Sequence, residues 1–237
     1  MKTIVLACRT LEDEIALAQK NAGTDYPVVY IESGLHERPK KLADAIREVF
    51  AEIDAEQQAA APKRRKSAKS EPLRVLMALG QCGNSMTGLT AGNFELILPK
   101  VDDCLSLLIG SNKEKAALNL RDKAFFLTMG WLRGESTIMS QYKQSVEKYG
   151  EDTALSIMEM MYEHYETLGL IDTGAAPMDA LWENTKEISE LLGLSRKTYP
   201  GTLEFVEQLL TGPWPPEKFI TKAPHEEICE ADFRDML

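Results

Sequence analysis

Thr3-Ile4-Val5-Leu6-Ala7-Cys8 is a short apolar run rich in β-branched residues, and directly after it Leu11, Ile15, Leu17 and Ala18 recur at helical spacing. The pattern reads as a strand followed by a helix. It repeats at once: Pro27-Val28-Val29-Tyr30-Ile31 is a second apolar run, ending at Ser33-Gly34-Leu35-His36, and Pro39 stands in the first turn of a helix through Leu42, Ile46, Val49, Phe50 and Ile53. A β-α-β-α rhythm of this kind builds a parallel sheet with right-handed crossovers. The predicted fold class is therefore α/β, an open and mostly parallel sheet flanked by helices, with a helical C-terminal part.

Working outward, Leu73–Leu79, Phe94–Pro99, Ala124–Thr128 and Leu168–Gly174 are the next strand candidates, with Lys218-Phe219-Ile220-Thr221 as a short edge strand. A helix opens near Asp102 or Asp103. The stretch 137–168 is helical and broken at Tyr149-Gly150-Glu151-Asp152, with Asp152 expected to cap the second half. Amphipathic helices follow near 179–192 and 202–211. Residues 59–72 have no apolar periodicity, contain two prolines and include Lys63-Arg64-Arg65-Lys66-Ser67-Ala68-Lys69. We accordingly divide the chain into a first α/β segment (1–58), a basic flexible linker or surface insertion (59–72), and a second α/β segment with C-terminal helices (73–237) that forms one compact unit with the first.

A length of 237 residues and 44% hydrophobic content suffice for a substantial core. No stretch approaches the roughly 18 to 20 apolar residues of a membrane helix, and Met1–Leu6 runs into Cys8-Arg9 without a signal-peptide core. The expectation is a soluble, cytoplasmic protein. Its net charge of −10, with five positive charges confined to 63–69, argues against nucleic acid or an anionic membrane as the main partner.

Four cysteines in so long a chain are too sparse for a disulfide framework, so any role they have is chemical. Cys8, Cys82 and Cys104 each follow the C-terminal end of a predicted strand, the edge at which open α/β sheets bind ligands. Converging there, they form a ligand set for zinc or an iron–sulfur cluster. The competing reading is that strand-end cysteines are small buried hydrophobes, since no Cys-x-x-Cys spacing is present. Cys229, in the acidic tail Glu226–Glu230, is set apart from the site.

His36 ends the second strand unit and faces the same edge, as a fourth ligand or a general acid/base. Asp102 beside Cys104 is a base or ligand candidate, one of Asp102 and Asp103 being the helix cap. The loop Gly80-Gln81-Cys82-Gly83-Asn84-Ser85-Met86-Thr87-Gly88 lacks both the Walker and the Rossmann spacing, but its Gly80, Gly83, Asn84 and Gly88 allow close backbone approach to a ligand or metal. Trp131 after the fifth strand and Asp172 after the sixth supply an aromatic wall and a carboxylate that suit a planar or cationic ligand, or else ordinary turn chemistry. His164, His225 and the Met158–Met161 run are assigned no role.

Several ordered motifs, Ala7-Cys8-Arg9-Thr10-Leu11-Glu12, Gly34-Leu35-His36, Leu79-Gly80-Gln81-Cys82-Gly83-Asn84, Pro99–Cys104 with Leu108-Ile109-Gly110-Ser111, Thr128-Met129-Gly130-Trp131, Tyr149-Gly150 and Ile171-Asp172-Thr173-Gly174, together resemble the domain-of-unknown-function family numbered 1638. The resemblance implies a protein of methanogens and other anaerobes, often encoded near corrinoid-dependent methyltransferases. By implication it acts in anaerobic one-carbon metabolism, on a methylated amine or methyl carrier. This chain departs from the family pattern at Arg9, where glycine is frequent, and at Asp102, where histidine is frequent. Three readings stay open. The first is a metal-dependent enzyme or methyl-transfer protein with Cys8, Cys82 and Cys104 as ligands, and His36 or Glu12 nearby. The second is a non-catalytic partner of a corrinoid protein or methyltransferase. The third is a metal-free binder of a small molecule.

Overall fold

The computed structural model describes residues 1–60, 72–134, 136–234 and 236. Strand β1 (Lys2–Cys8) passes through a 3-10 turn into helix α1 (Glu12–Ala22), then β2 (Val28–Ile31), a second 3-10 turn, and α2 (Pro39–Ala60). Next come β3 (Leu73–Ala78), β4 (Glu95–Pro99), α3 (Cys104–Ile109), α4 (Asn112–Asp122) and β5 (Ala124–Leu127). Short α5 (Met129–Leu132) precedes α6 (Ile138–Tyr149), α7 (Glu151–Tyr162) and β6 (Thr167–Asp172). The chain closes with α8 (Met178–Asn184), α9 (Lys186–Leu192), β7 (Ser195–Pro200), α10 (Glu204–Thr211) and β8 (Phe219–Lys222).

The strands form two sheets. The first runs β2-β1-β3-β4 in parallel with β8 antiparallel at the edge, and the second is the parallel trio β5-β6-β7. Because β1 pairs with β3, residues on both sides of the 59–72 stretch share one sheet. Helix α2 runs two residues into that stretch, and the basic tract 63–69 lies outside the described residues.

Strand β1 is central, and Ile4 through Cys8 are all buried, which is why it reads as an unbroken apolar run rather than an alternating one. Each fully buried Val, Leu or Ile of this core is worth about 1.5–3 kcal/mol relative to exposure. Helix α1 packs on α10, which lies over β3 and β4, and Phe50 of α2 meets Phe94 edge-on at 5.2 Å.

Three expectations are corrected. Asp152 does not cap α7. Gly150, at φ 81°, ends α6 and precedes α7, so the conformational freedom of glycine makes the break and Asp152 sits in the first turn. The helix expected over 179–192 is two helices parted at Thr185, whose hydroxyl donates to the Leu181 carbonyl at 2.8 Å. Strand β7, Ser-Arg-Lys-Thr-Tyr-Pro, was not anticipated, because an exposed edge strand carries no apolar run. No helix among the described residues is long and apolar enough to cross a membrane.

The second sheet docks on the first through a close backbone approach. A Cβ at Gly130 would lie 2.1 Å from the Thr10 carbonyl oxygen, so only glycine lets α5 rest on the turn that follows β1. The Arg133–Asp13 ion pair, at 2.8 Å, ties the same two segments.

Candidate functional site

Strands β1, β3 and β4 are adjacent and parallel, so the chain leaves the sheet at one edge three times. The step from β1 outward to β2 and back across to β3 makes a topological switch point there, where such sheets open a crevice. Cys8 is the last residue of β1, Cys82 follows β3 by four residues, and Cys104 is the first residue of α3. Backbone hydrogen bonds lace the two loops together: Gln81 N–H donates to the Val101 carbonyl at 2.8 Å and Cys82 N–H to that of Asp102 at 2.7 Å. Gly80 permits this, since a Cβ there would stand 2.3 Å from the Asp103 Cα. Asp103 caps α3, accepting from Ser106 N–H at 2.9 Å, and pairs with Lys115.

The three cysteines line one cavity of about 890 Å³, together with Thr10, His36, Gly80, Gly83, Asp102 and Trp131. Thr10 sits between two of the sulfurs. Its hydroxyl donates to Cys8 Sγ at 3.1 Å and lies 3.6 Å from Cys104 Sγ. Hydrogen bonding from the Cys104 thiol draws the Cys8 pKa down to about 6 against the effect of burial, with Thr10 and the nearby His36 adding to the fall. Cys104 is held well above the ordinary thiol value by the same bond and by burial. Near neutral pH the pair therefore keeps one proton between two sulfurs. Burial, then the charge of Cys8, pushes Cys82 up to about 12.

By donor type the set suits a thiophilic metal: three sulfurs, one already ionised near neutrality. By spacing it is incomplete. Cys82 interacts with the other two through charge, outside their hydrogen bond, and among the described residues no group of three or more His, Cys, Asp or Glu is arranged to hold a metal ion.

The other expected residues separate into two groups. His36 faces the cavity with its Nδ1 against the Ser33 carbonyl, Asp102 lies exposed at the rim, and Trp131 stands on the wall. Glu12, Asn84, Gly88 and Asp172 are not on it. Glu12 is exposed in the first turn of α1, 4.0 Å from Arg9, because helix α1 starts after the chain has turned away from the edge. Gly88 N–H donates to the Ile228 carbonyl, tying its loop to the C-terminal tail, and exposed Asn84 belongs to the left-handed turn Cys82-Gly83-Asn84. The Asp172 side chain accepts from Gly174 N–H at 3.0 Å, which is turn chemistry, as Asp172 belongs to the second sheet. Cys229 is exposed and lies off the cavity.

Sequence reading missed Thr10 and an aromatic group on the same cavity as the thiols. Phe125 of β5 packs edge-on against Trp131 (5.5 Å), Tyr162 (5.3 Å) and Tyr165 (5.3 Å), and all four rings line the cavity. A threonine two residues past a strand-end cysteine was a readable signal. The rings come from β5, α5, α7 and the segment before β6, so nothing local marked them as one group.

No curated protein and no solved structure matches the chain. A family model described as "Protein of unknown function (DUF1638)" matches residues 30–210, most of the chain, taking in β3, β4 and the whole second sheet but neither β1 nor β8, and the chain belongs to that family.

Proposed function

We propose that this protein is a thiolate-centred, metal-dependent protein in which Cys8, Cys82 and Cys104 take up zinc or an iron–sulfur cluster beside a cavity that holds a small molecule. The observation that carries the reading is that cysteines 8, 82 and 104 arrive from three adjacent strand ends on the wall of one cavity. Support comes from the Cys8 thiol, which loses its proton at about 6 and so offers a sulfur ligand or nucleophile without help from a base. Bound zinc would supply Lewis acidity or activate a thiol acceptor, while a cluster on three cysteines would leave one iron open. Thr10 donates to Cys8 and lies against Cys104, holding the two sulfurs together, with His36 on the same cavity wall. With the family resemblance, the proposal extends to corrinoid-linked methyl transfer in the cytoplasm, with a corrinoid protein or methyltransferase as partner and a small methylated compound as substrate.

The test is metal analysis and visible absorption of protein purified anaerobically with zinc or iron supplied, beside Cys8→Ser, Cys82→Ser and Cys104→Ser. We expect about one zinc ion or one cluster per chain, lost in each variant. Protein that takes up neither, and shows no charge-transfer band, removes the reading. The position of Cys82 outside the Cys8–Cys104 bond favours a second reading, that the cavity binds its ligand without metal. In that case the serine variants retain ligand binding and no metal is found in any preparation.

A further inference from the structure

The cavity lining carries an aromatic group as well as the sulfurs, and that group is the more informative about what enters it. Phe125, Trp131, Tyr162 and Tyr165 form a continuous aromatic wall, with ring planes 77°, 78° and 86° from that of Phe125. Glu37 lines the same cavity, its Oε1 accepting from Ser136 Oγ at 3.1 Å and Gln141 Nε2 at 3.0 Å. Tyr162 is pushed up to about 12, by burial first and then by the charge of Glu37, which places that charge within reach of the rings.

The charges on the wall do not cancel. Glu32 is paired with Arg9 at 2.8 Å and Asp103 with Lys115. Setting those pairs aside, the carboxylates of Glu37 and Asp102 outnumber the guanidinium of Arg38 on the lining. A negative cavity with aromatic rings on its wall repels anions and gives no added preference to a neutral ring, while a cation gains from the carboxylates and, over a ring face, from the ring quadrupole.

We propose that the ligand of this cavity is a small organic cation, its ammonium group seated against the Phe125–Trp131–Tyr162–Tyr165 wall beside Glu37 and its remainder directed to the sulfurs. This deepens the preceding proposal and rests on its assignment of the cavity as the ligand site, but not on a metal.

Choline and its neutral carbon isostere, 3,3-dimethylbutan-1-ol, make the test, by titration calorimetry on the full reduced chain with metal content measured on the same preparation. Choline should bind at least about tenfold more tightly than the isostere. Glu37→Gln and Trp131→Leu should each weaken choline by about fivefold or more, and Glu37→Gln should leave the isostere unchanged. Thermal melting identifies a variant that has lost its fold, and Glu37→Gln, at a surface position, serves if Trp131→Leu has. Equal affinities, no binding of either compound by the wild type, or indifference of choline to Glu37→Gln overturns the inference. Choline selectivity in metal-free protein upholds it while removing the metal reading; metal uptake with no selectivity does the reverse.

Discussion

Replacing Cys104 by alanine tests the central electrostatic claim, that one thiol holds its neighbour in the ionised form. In the wild type the bond from Cys104 is the largest influence on Cys8, and Thr10 adds a second donor at 3.1 Å. With a pKa of about 6, Cys8 stands at about ten thiolates to one thiol at pH 7; loss of the donor raises it, and a return all the way to the ordinary 9.0 would leave about one thiolate in a hundred. The rate of alkylation does not fall in proportion, because a more basic thiolate is a better nucleophile. A Brønsted slope of about 0.4–0.5 returns a factor of about 16 to 30, leaving a net loss of only about three- to six-fold at pH 7. The midpoint of the pH–rate profile is the sharper reading. It should move upward from about 6, toward the ordinary 9.0, in Cys104→Ala, and by less in Cys104→Ser, whose hydroxyl still donates. Thr10→Val should shift it in the same direction by a smaller amount. The assay is iodoacetamide labelling across pH, quantified on the tryptic peptide Thr3–Arg9, which isolates Cys8 from the other three cysteines. A wild-type midpoint already at 9, or one that Cys104→Ala leaves in place, refutes the reasoning.

Two further outcomes concern stability. Glu14 of α1 is buried at 2% exposure with Oε1 accepting from Thr173 Oγ1 at 3.0 Å, and burial raises its pKa above the ordinary 4.5. The folded state binds that proton more tightly than the unfolded chain, so its contribution is fully present below 4.5 and is lost as pH rises through the raised value. Urea unfolding over a pH series should show Glu14→Gln removing that part of the slope, and identical slopes for the two proteins would count against a buried neutral acid. Gly130→Ala places a Cβ against the Thr10 carbonyl oxygen. It should cost roughly 1–3 kcal/mol by chemical denaturation and disturb Cys8 labelling through Thr10; an unchanged midpoint would show that the two sheets do not meet as tightly as described.

How much was legible depends on how local the signal is. The apolar runs at β1, β3 and β4 were readable because burial on both faces of an interior strand leaves a continuous mark in the sequence, and α1 and α2 because one buried face recurs at helical spacing. Strand β7 left none, since one edge and most of its side chains meet solvent. Among site residues, Cys8, Cys82, Cys104, His36 and Trp131 were legible as chemistry-bearing residues at strand ends. Glu12 and Asp172 satisfied the same rule of position, yet the turn of the chain and membership of the other sheet carry them off the cavity.

What the sequence determined by itself is the order of the apolar strands and of the longer helices and the placement of a thiol at each of three strand ends, because periodicity and turn chemistry are properties of neighbouring residues. Only the tertiary structure decided that β1, β3 and β4 lie side by side, that the strands part into two sheets, and that Gly130 brings α5 onto the turn containing Thr10. Those outcomes depend on which buried surfaces fit one another across long separations in the chain, and that fit sets Thr10 against Cys8 and Cys104 and puts the four aromatic rings on the same cavity.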